Sequence, residues 1–149
     1  SLGLWGAFLL LPRGFTPLFE HLTSAIMHST ALPPAHAACM LALVEELPRL
    51  EERRRTLAAR VAFFRQALTE RGLPVMGDAH ILSVPMGDEE RCRRLAARLS
   101  ESGVLVLGAR WPTVPRGQAL LRFGLTARHT EELLARTAAV LSGLWEGQG

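Results

Sequence analysis

The 149-residue chain contains no lysine and no tyrosine. Without lysine, no side chain can supply the amine that a Schiff base needs. Cysteine is nearly absent. Cys39 and Cys92 lack metal-like spacing, which argues against a disulfide framework or a zinc site and points to a reduced, cytoplasmic setting. No apolar run approaches the roughly 20 residues of a membrane span. The longest opening run, "LWGAFLLL" at 4–11, is too short and lacks the basic flank of a signal peptide. A nucleophile elbow, a phosphate-binding loop, a zinc pattern and a dinucleotide fingerprint are all missing. These absences leave a protein of ordinary globular composition, 48% hydrophobic and 21% charged, long enough to bury a core.

All seventeen basic residues are arginine, yet the net charge is only +3. A nucleic-acid surface needs basic residues clustered on one face. In "PRLEERRRTLAAR" and "GDEERCRRLAAR" they interleave with acids, as on solvated helix faces carrying local ion pairs. The pattern speaks against nucleic acid.

The chain opens with a predicted strand at 6–11, ended by "PRG", and a short helix at 16–27. The prolines of "HSTALPP" break that helix, because a proline donates no hydrogen bond and pushes its predecessor out of helical geometry. A long helical region spans 34–71, interrupted by Pro48 and stopped by Gly72. Within it Leu57, Val61, Phe64 and Leu68 form one apolar stripe, a core signature. Thereafter strands and helices alternate. "HILSVPM", "VLVLGA" and "QALLRFGL" read as strands. "GDEERCRRLAARLSESG" and "TEELLARTAAVLSGLW" read as helices, the second with Thr130 as N-cap. The expected fold is α/β, an α+β sandwich with helices covering one face of a small sheet. Residues 1–34 read as an arm and 35–149 as the domain.

Two features could carry chemistry. Arg122 stands on an otherwise apolar strand, where burial without a partner would cost several kcal/mol. A guanidinium there suits a carboxylate, either a structural partner from this chain or a bound one. Arg110, before the rigid "WPTVP" turn, has the same potential. Ser29 and Thr30 sit in a turn preceding a helix, where hydroxyls and amides can cradle a phosphate or the two can be ordinary turn or capping residues. His28, His36, His80 and His129 show no pairing with carboxylates or cysteines and read as structural. No metal site is expected.

The segments "SLGLWGAF", "HSTALPP", "ILSVPMGDEE" and "ARWPTVPRGQALLRFGLTARHT" occur in the order and spacing of the α-oxoamine synthases. These are fold-type-I pyridoxal-phosphate (PLP) enzymes of the class I/II aminotransferase-like superfamily. The resemblance extends from Ser1 to about Leu144. It implies the end of a large cofactor-binding domain in 1–34 and a small C-terminal domain in 35–149. It further implies a homodimeric C-acyltransferase that condenses an amino acid with an acyl thioester such as an acyl-CoA, on the branch serving biotin biosynthesis. Glycine C-acetyltransferases and aminotransferases proper are the nearest alternatives. By the same resemblance Arg122 holds the substrate carboxylate and Arg110 lies near the acyl end. Ser29 and Thr30 contact the cofactor phosphate across the dimer, while Gly3 and Gly6 belong to the turn after the cofactor lysine.

That lysine would stand immediately before Ser1, so the 149-residue chain alone is expected to be inactive. Two departures from the family pattern, Leu120 in place of a second arginine and Trp111 in place of a proline, bear on the acyl group. A stand-alone, non-catalytic α/β binding module is the rival of another class. It predicts a stable, monodisperse monomer, whereas the synthase reading expects an exposed apolar arm.

Overall fold

The prolines and apolar stripes decide how the chain is partitioned. The computed structural model describes residue 4 and residues 9–146, and the chain falls into two units, Ser1–Leu50 and Glu51–Gly149. The division follows a 3-10 turn, Leu47–Leu50, formed where Pro48 cannot donate to the preceding helical turn. It lies beyond the 34/35 boundary read from the sequence.

The first unit holds a 3-10 turn at Arg13–Phe15 and three helices, α1 (Thr16–Leu22), α2 (Ser24–Met27) and α3 (Pro34–Glu46). The single helix expected at 16–27 is therefore two. Thr23, β-branched and extended at φ −98°, ψ 97°, separates them. Proline at the start of α1 and of α3 costs no hydrogen bond, since the first-turn amides have no helical acceptor. Of the strand expected at 6–11, residues 6–8 lie outside the described residues, and 9–11 are not a strand. Among the described residues Leu9 and Leu10 have no partner strand, and they are 61% and 86% exposed. No described residue of this unit is buried.

The second unit is a two-layer sandwich. Helix α4 (Glu51–Thr69) leads to strand β1 (Ile81–Gly87), then α5 (Glu89–Glu101), β2 (Leu107–Ala109), β3 (Ala119–Gly124) and α6 (Glu131–Glu146). The sheet order is β1-β3-β2, with β3 antiparallel to both neighbours. All three helices cover the same face of the sheet, as expected from the sequence. Leu82, Val84 and Met86 of β1 and Ala119, Leu121 and Phe123 of β3 point into that layer. The stripe of α4 meets them there, Phe64 edge-on to Phe123 with ring centroids 5.5 Å apart. Burying side chains such as Phe64, Leu82 and Leu121 contributes about 1.5–3 kcal/mol each.

Local signals set the helix ends. The Asp88 carboxylate accepts from the Arg91 amide at 2.6 Å, and the Thr130 hydroxyl accepts from the Leu133 amide at 3.2 Å. Arg60 of α4 pairs with Glu131 of α6 and ties the two helices together. The strand expected at 104–109 shrinks to Leu107–Ala109, because β3 offers partners only at Leu120, Leu121 and Arg122. Leu105, outside that pairing, is 93% exposed.

Candidate functional site

Strand alternation governs Arg122. Ala119, Leu121 and Phe123 face the helices, so Leu120, Arg122 and Gly124 face the other way, onto the side of the sheet that no helix of this unit covers. Arg122 is exposed, and among the described residues it has no ion pair. This corrects the sequence reading of a buried guanidinium needing a partner. The strand is apolar on both sides of the residue, but period two sends its neighbours inward and Arg122 outward. The structural ion pair falls with that correction.

The register supplies the surroundings. Arg122 lies opposite Ser83 on β1 and Leu107 on β2. Ser83 spends its amide and carbonyl on Met76, at 2.9 and 2.8 Å, on the outer side of β1. Ser83 and Arg122 therefore form a pair without mutual backbone bonds, the kind in which side chains come closest. The result is a cation on an open sheet face with a hydroxyl beside it, able to receive a carboxylate through a two-pronged contact.

Arg110 follows Ala109, which pairs with Leu120, so it stands just past the end of the strand beside that of Arg122. Arg110 is exposed as well. It acts on its surroundings by charge. Burial pushes the Cys92 thiol above its ordinary value of 9.0, and the Arg110 guanidinium pulls it partly back. Cys92 is fully buried, with its thiol 3.4 Å from the Leu120 carbonyl, and Cys39 is exposed; both are free. Two clefts in this unit lie elsewhere. One of about 190 Å³ is walled by Phe64, Leu105 and Phe123, and one of about 480 Å³ by Leu57, Val61 and His80. Neither includes Arg110 or Arg122.

Ser29 and Thr30 belong to the other unit, in the exposed bend between α2 and α3. Neither hydroxyl makes a hydrogen bond among the described residues. Pro33, not either of them, occupies the N-cap of α3. The capping alternative thus fails for both, and their donors are available to an anion. Gly3 and Gly6 lie outside the described residues. His129 accepts from the Thr126 amide at 3.4 Å through Nδ1, a turn contact. Among the described residues no group of His, Cys, Asp or Glu could hold a metal ion, and no helix is long and apolar enough to cross a membrane.

Comparison with known proteins decides the family. Residues 1–141 match the model of the aminotransferase class I and II family. The chain belongs to the class I and II aminotransferase family. A relative from Geobacter metallireducens, an 8-amino-7-oxononanoate synthase, is 36% identical over all of this chain and 39% of its own length. A solved 8-amino-7-oxononanoate synthase from Francisella tularensis superposes with a TM-score of 0.78 at 22% identity, covering 92% of this chain and 40% of that one. A serine palmitoyltransferase from S. paucimobilis, solved with a bound PLP–myriocin aldimine, gives 0.79 at 21% identity over 89% of this chain and 34% of its own. At such identities the structures establish a shared fold. The chain spans less than two fifths of the curated relatives it matches.

Sequence reasoning overlooked two neighbours of the predicted residues in this family member. Ser83 opposes Arg122 only through register, which the sequence does not display. Arg116 lies over the Trp111 ring, 5.2 Å from its centroid. The i, i+5 spacing of an aromatic and an arginine across a Pro-Thr-Val-Pro turn was the available signal.

Proposed function

We propose that this chain is the C-terminal portion of a PLP-dependent C-acyltransferase of the 8-amino-7-oxononanoate synthase type. Such an enzyme joins an amino acid to an acyl thioester with loss of carbon dioxide and release of the thiol carrier, in biotin biosynthesis. The observation that carries the reading is Arg122, an arginine on an open sheet face with no acid paired to it among the described residues. An exposed, unpaired guanidinium beside a hydroxyl is what a free carboxylate substrate requires. The relatives' names supply the reaction class.

The residues present fit the cofactor. The Ser29 and Thr30 hydroxyls, uncommitted in an exposed bend, would donate to its phosphate from across a homodimer. PLP, when bound, supplies an electron sink for the bond broken at the amino-acid α-carbon. This reading assigns Gly3 and Gly6 to the turn after the cofactor lysine and Arg110 to the acyl end of the site. Because these 149 residues contain no lysine, the amine that carries the cofactor is not among them. Residues 1–34 belong to the large domain in this reading and 35–149 to the small one. The apolar surface of the first unit, with Phe15 57% and Leu22 75% exposed, supports a partner layer there.

The test is Arg122→Lys in the enzyme whose C-terminal portion is this chain. A lysine keeps the charge but loses the two-pronged contact. The expected result is a Michaelis constant for the amino acid raised about tenfold or more. The constant for the thioester should stay close to its original value. An unchanged constant for the amino acid removes Arg122 from the site. Release of the thiol carrier, as against keto-acid formation, separates acyl transfer from amino transfer.

A further inference from the structure

One side of α4 is neither wholly core nor wholly solvated. Arg54, Leu57, Val61 and Arg65 recur every three or four residues, so they share that side over roughly 16 Å of helix. Leu57 and Val61 pack against the core layer, and an arginine stands at each end. The turn that leads into β1 lies along the same side. Between helix and turn runs a cleft of about 480 Å³, inside the range of small-molecule sites, about 300–1,000 Å³.

The turn is pinned at both ends. The Gly77 carbonyl accepts from the Arg65 guanidinium, and the His80 carbonyl accepts from the Leu125 amide at 2.7 Å. Asp78 and His80 therefore line the cleft from a fixed backbone, beside Arg65. Neither side chain has a hydrogen bond or an ion pair among the described residues. Arg65 reaches the residue before Asp78, yet the two side chains do not pair, and Arg65 has no other acid among the described residues. Arg54, at the far end, is met by Glu51 at 3.0 Å.

One end of the cleft thus offers an unspent cation and an unspent anion close together, and the rest of its floor is apolar. A bare carboxylate would leave Asp78 unmatched, and a bare amine would leave Arg65 unmatched. A ligand with both charges on neighbouring atoms and an apolar body satisfies all three features.

We infer that the cleft between α4 and the 77–80 turn binds a zwitterionic α-amino acid with a large apolar side chain. Its carboxylate accepts from Arg65 and from the His80 imidazole, its ammonium donates to Asp78, and its side chain lies over Leu57 and Val61. Arg122 points to the opposite, helix-free side of the sheet, so this is a second amino-acid site and not that of the reacting substrate. It stands whether or not the acyltransferase reading does.

The test is an NMR titration of the 149-residue chain, followed through its backbone amides, with L-leucine, 4-methylpentanoate, 3-methylbutylamine and glycine. Leucine is expected to shift the amides of Asp78, Ala79 and His80. The acid lacks the ammonium, the amine lacks the carboxylate and glycine lacks the side chain, so each should bind about tenfold more weakly or worse. Asp78→Asn should weaken leucine about tenfold and leave 4-methylpentanoate no weaker, an outcome that a merely structural Asp78 would not give. Arg122→Lys should leave leucine binding at the cleft unchanged. Should Asp78→Asn fail to fold, the order of the four ligands on the parent chain decides alone.

Leucine shifts confined to residues 119–124 would place the amino acid on the Arg122 face and overturn the inference. So would 4-methylpentanoate binding as tightly as leucine, which would make the cleft a plain carboxylate site, or no leucine shifts at all. The same titration on the whole enzyme should keep the order of ligands and the response to Asp78→Asn. Loss of leucine binding there would mean that the rest of that enzyme fills the cleft, and the inference falls.

Discussion

The two units of this chain are built from similar residues and end in opposite states. Glu51–Gly149 closes a sheet and three helices around Phe64, Leu82, Leu121 and Leu141, each at most 1% exposed. In Ser1–Leu50 no described residue is buried, although leucine, phenylalanine and methionine are plentiful. Composition therefore does not make a core. The second unit has two layers whose apolar faces meet, and the first has short helices interrupted at Thr23, Pro33 and Pro48 with, among the described residues, no layer of its own to meet. Under the proposed function, that open surface is where the first unit packs within the whole enzyme.

The widest contrast between the units is in side-chain truncation. Phe64→Ala should destabilise the 149-residue chain by about 3–5 kcal/mol, and Phe15→Ala should stay within about 0.5 kcal/mol of the parent. Urea unfolding followed by far-ultraviolet circular dichroism measures both, and a comparable loss for Phe15→Ala would abolish the distinction.

Backbone geometry gives the next effect. Gly77 has φ +94°, and a Cβ there would lie 2.5 Å from the Ile81 carbonyl oxygen, while Arg65 also donates to the Gly77 carbonyl. Gly77→Ala should cost about 2 kcal/mol in the same unfolding experiment. A neutral result would mean that the approach to β1 is looser than described.

Capping sets a finer comparison. Thr130→Ala removes the acceptor from the Leu133 amide and should cost about 1 kcal/mol. Ser29→Ala, which removes no cap, should leave the chain's melting temperature unchanged. An equal drop for both would show that the bend before α3 is held by its hydroxyls.

The smallest effect is a pH dependence. The folded Cys92 thiol titrates above 9.0 because it is buried, so the neutral form is favoured in the folded state. Its contribution to stability is complete below pH 9.0 and is lost as the pH rises through the folded value. Melting temperature should thus fall on the alkaline side, and Cys92→Ala should flatten that slope. Glu90 behaves oppositely. Its hydrogen bond from Arg93 holds the carboxyl below 4.5, so its contribution is present above that pH and fades as the pH falls through the folded value.

Much of this was legible in the residues. Leu57, Val61, Phe64 and Leu68 announced the inner face of α4. The "GDEE" opening and Thr130 marked the starts of α5 and α6, and the family motifs pointed to Arg122, Arg110, Ser29 and Thr30. These signals are local, because helix period, capping and proline chemistry act over a few residues. Other properties required the folded chain. The expected helix at 16–27 divided at Thr23, and β2 kept only the residues that β3 could pair. Arg122 turned outward, Ser83 came opposite it, and the Arg116 guanidinium settled on Trp111. Each of these depends on which strand lies beside which, in what register, and which face the helices cover. Such contacts join residues distant in sequence, so their energies are fixed by packing across the sheet and leave no periodic mark in the chain.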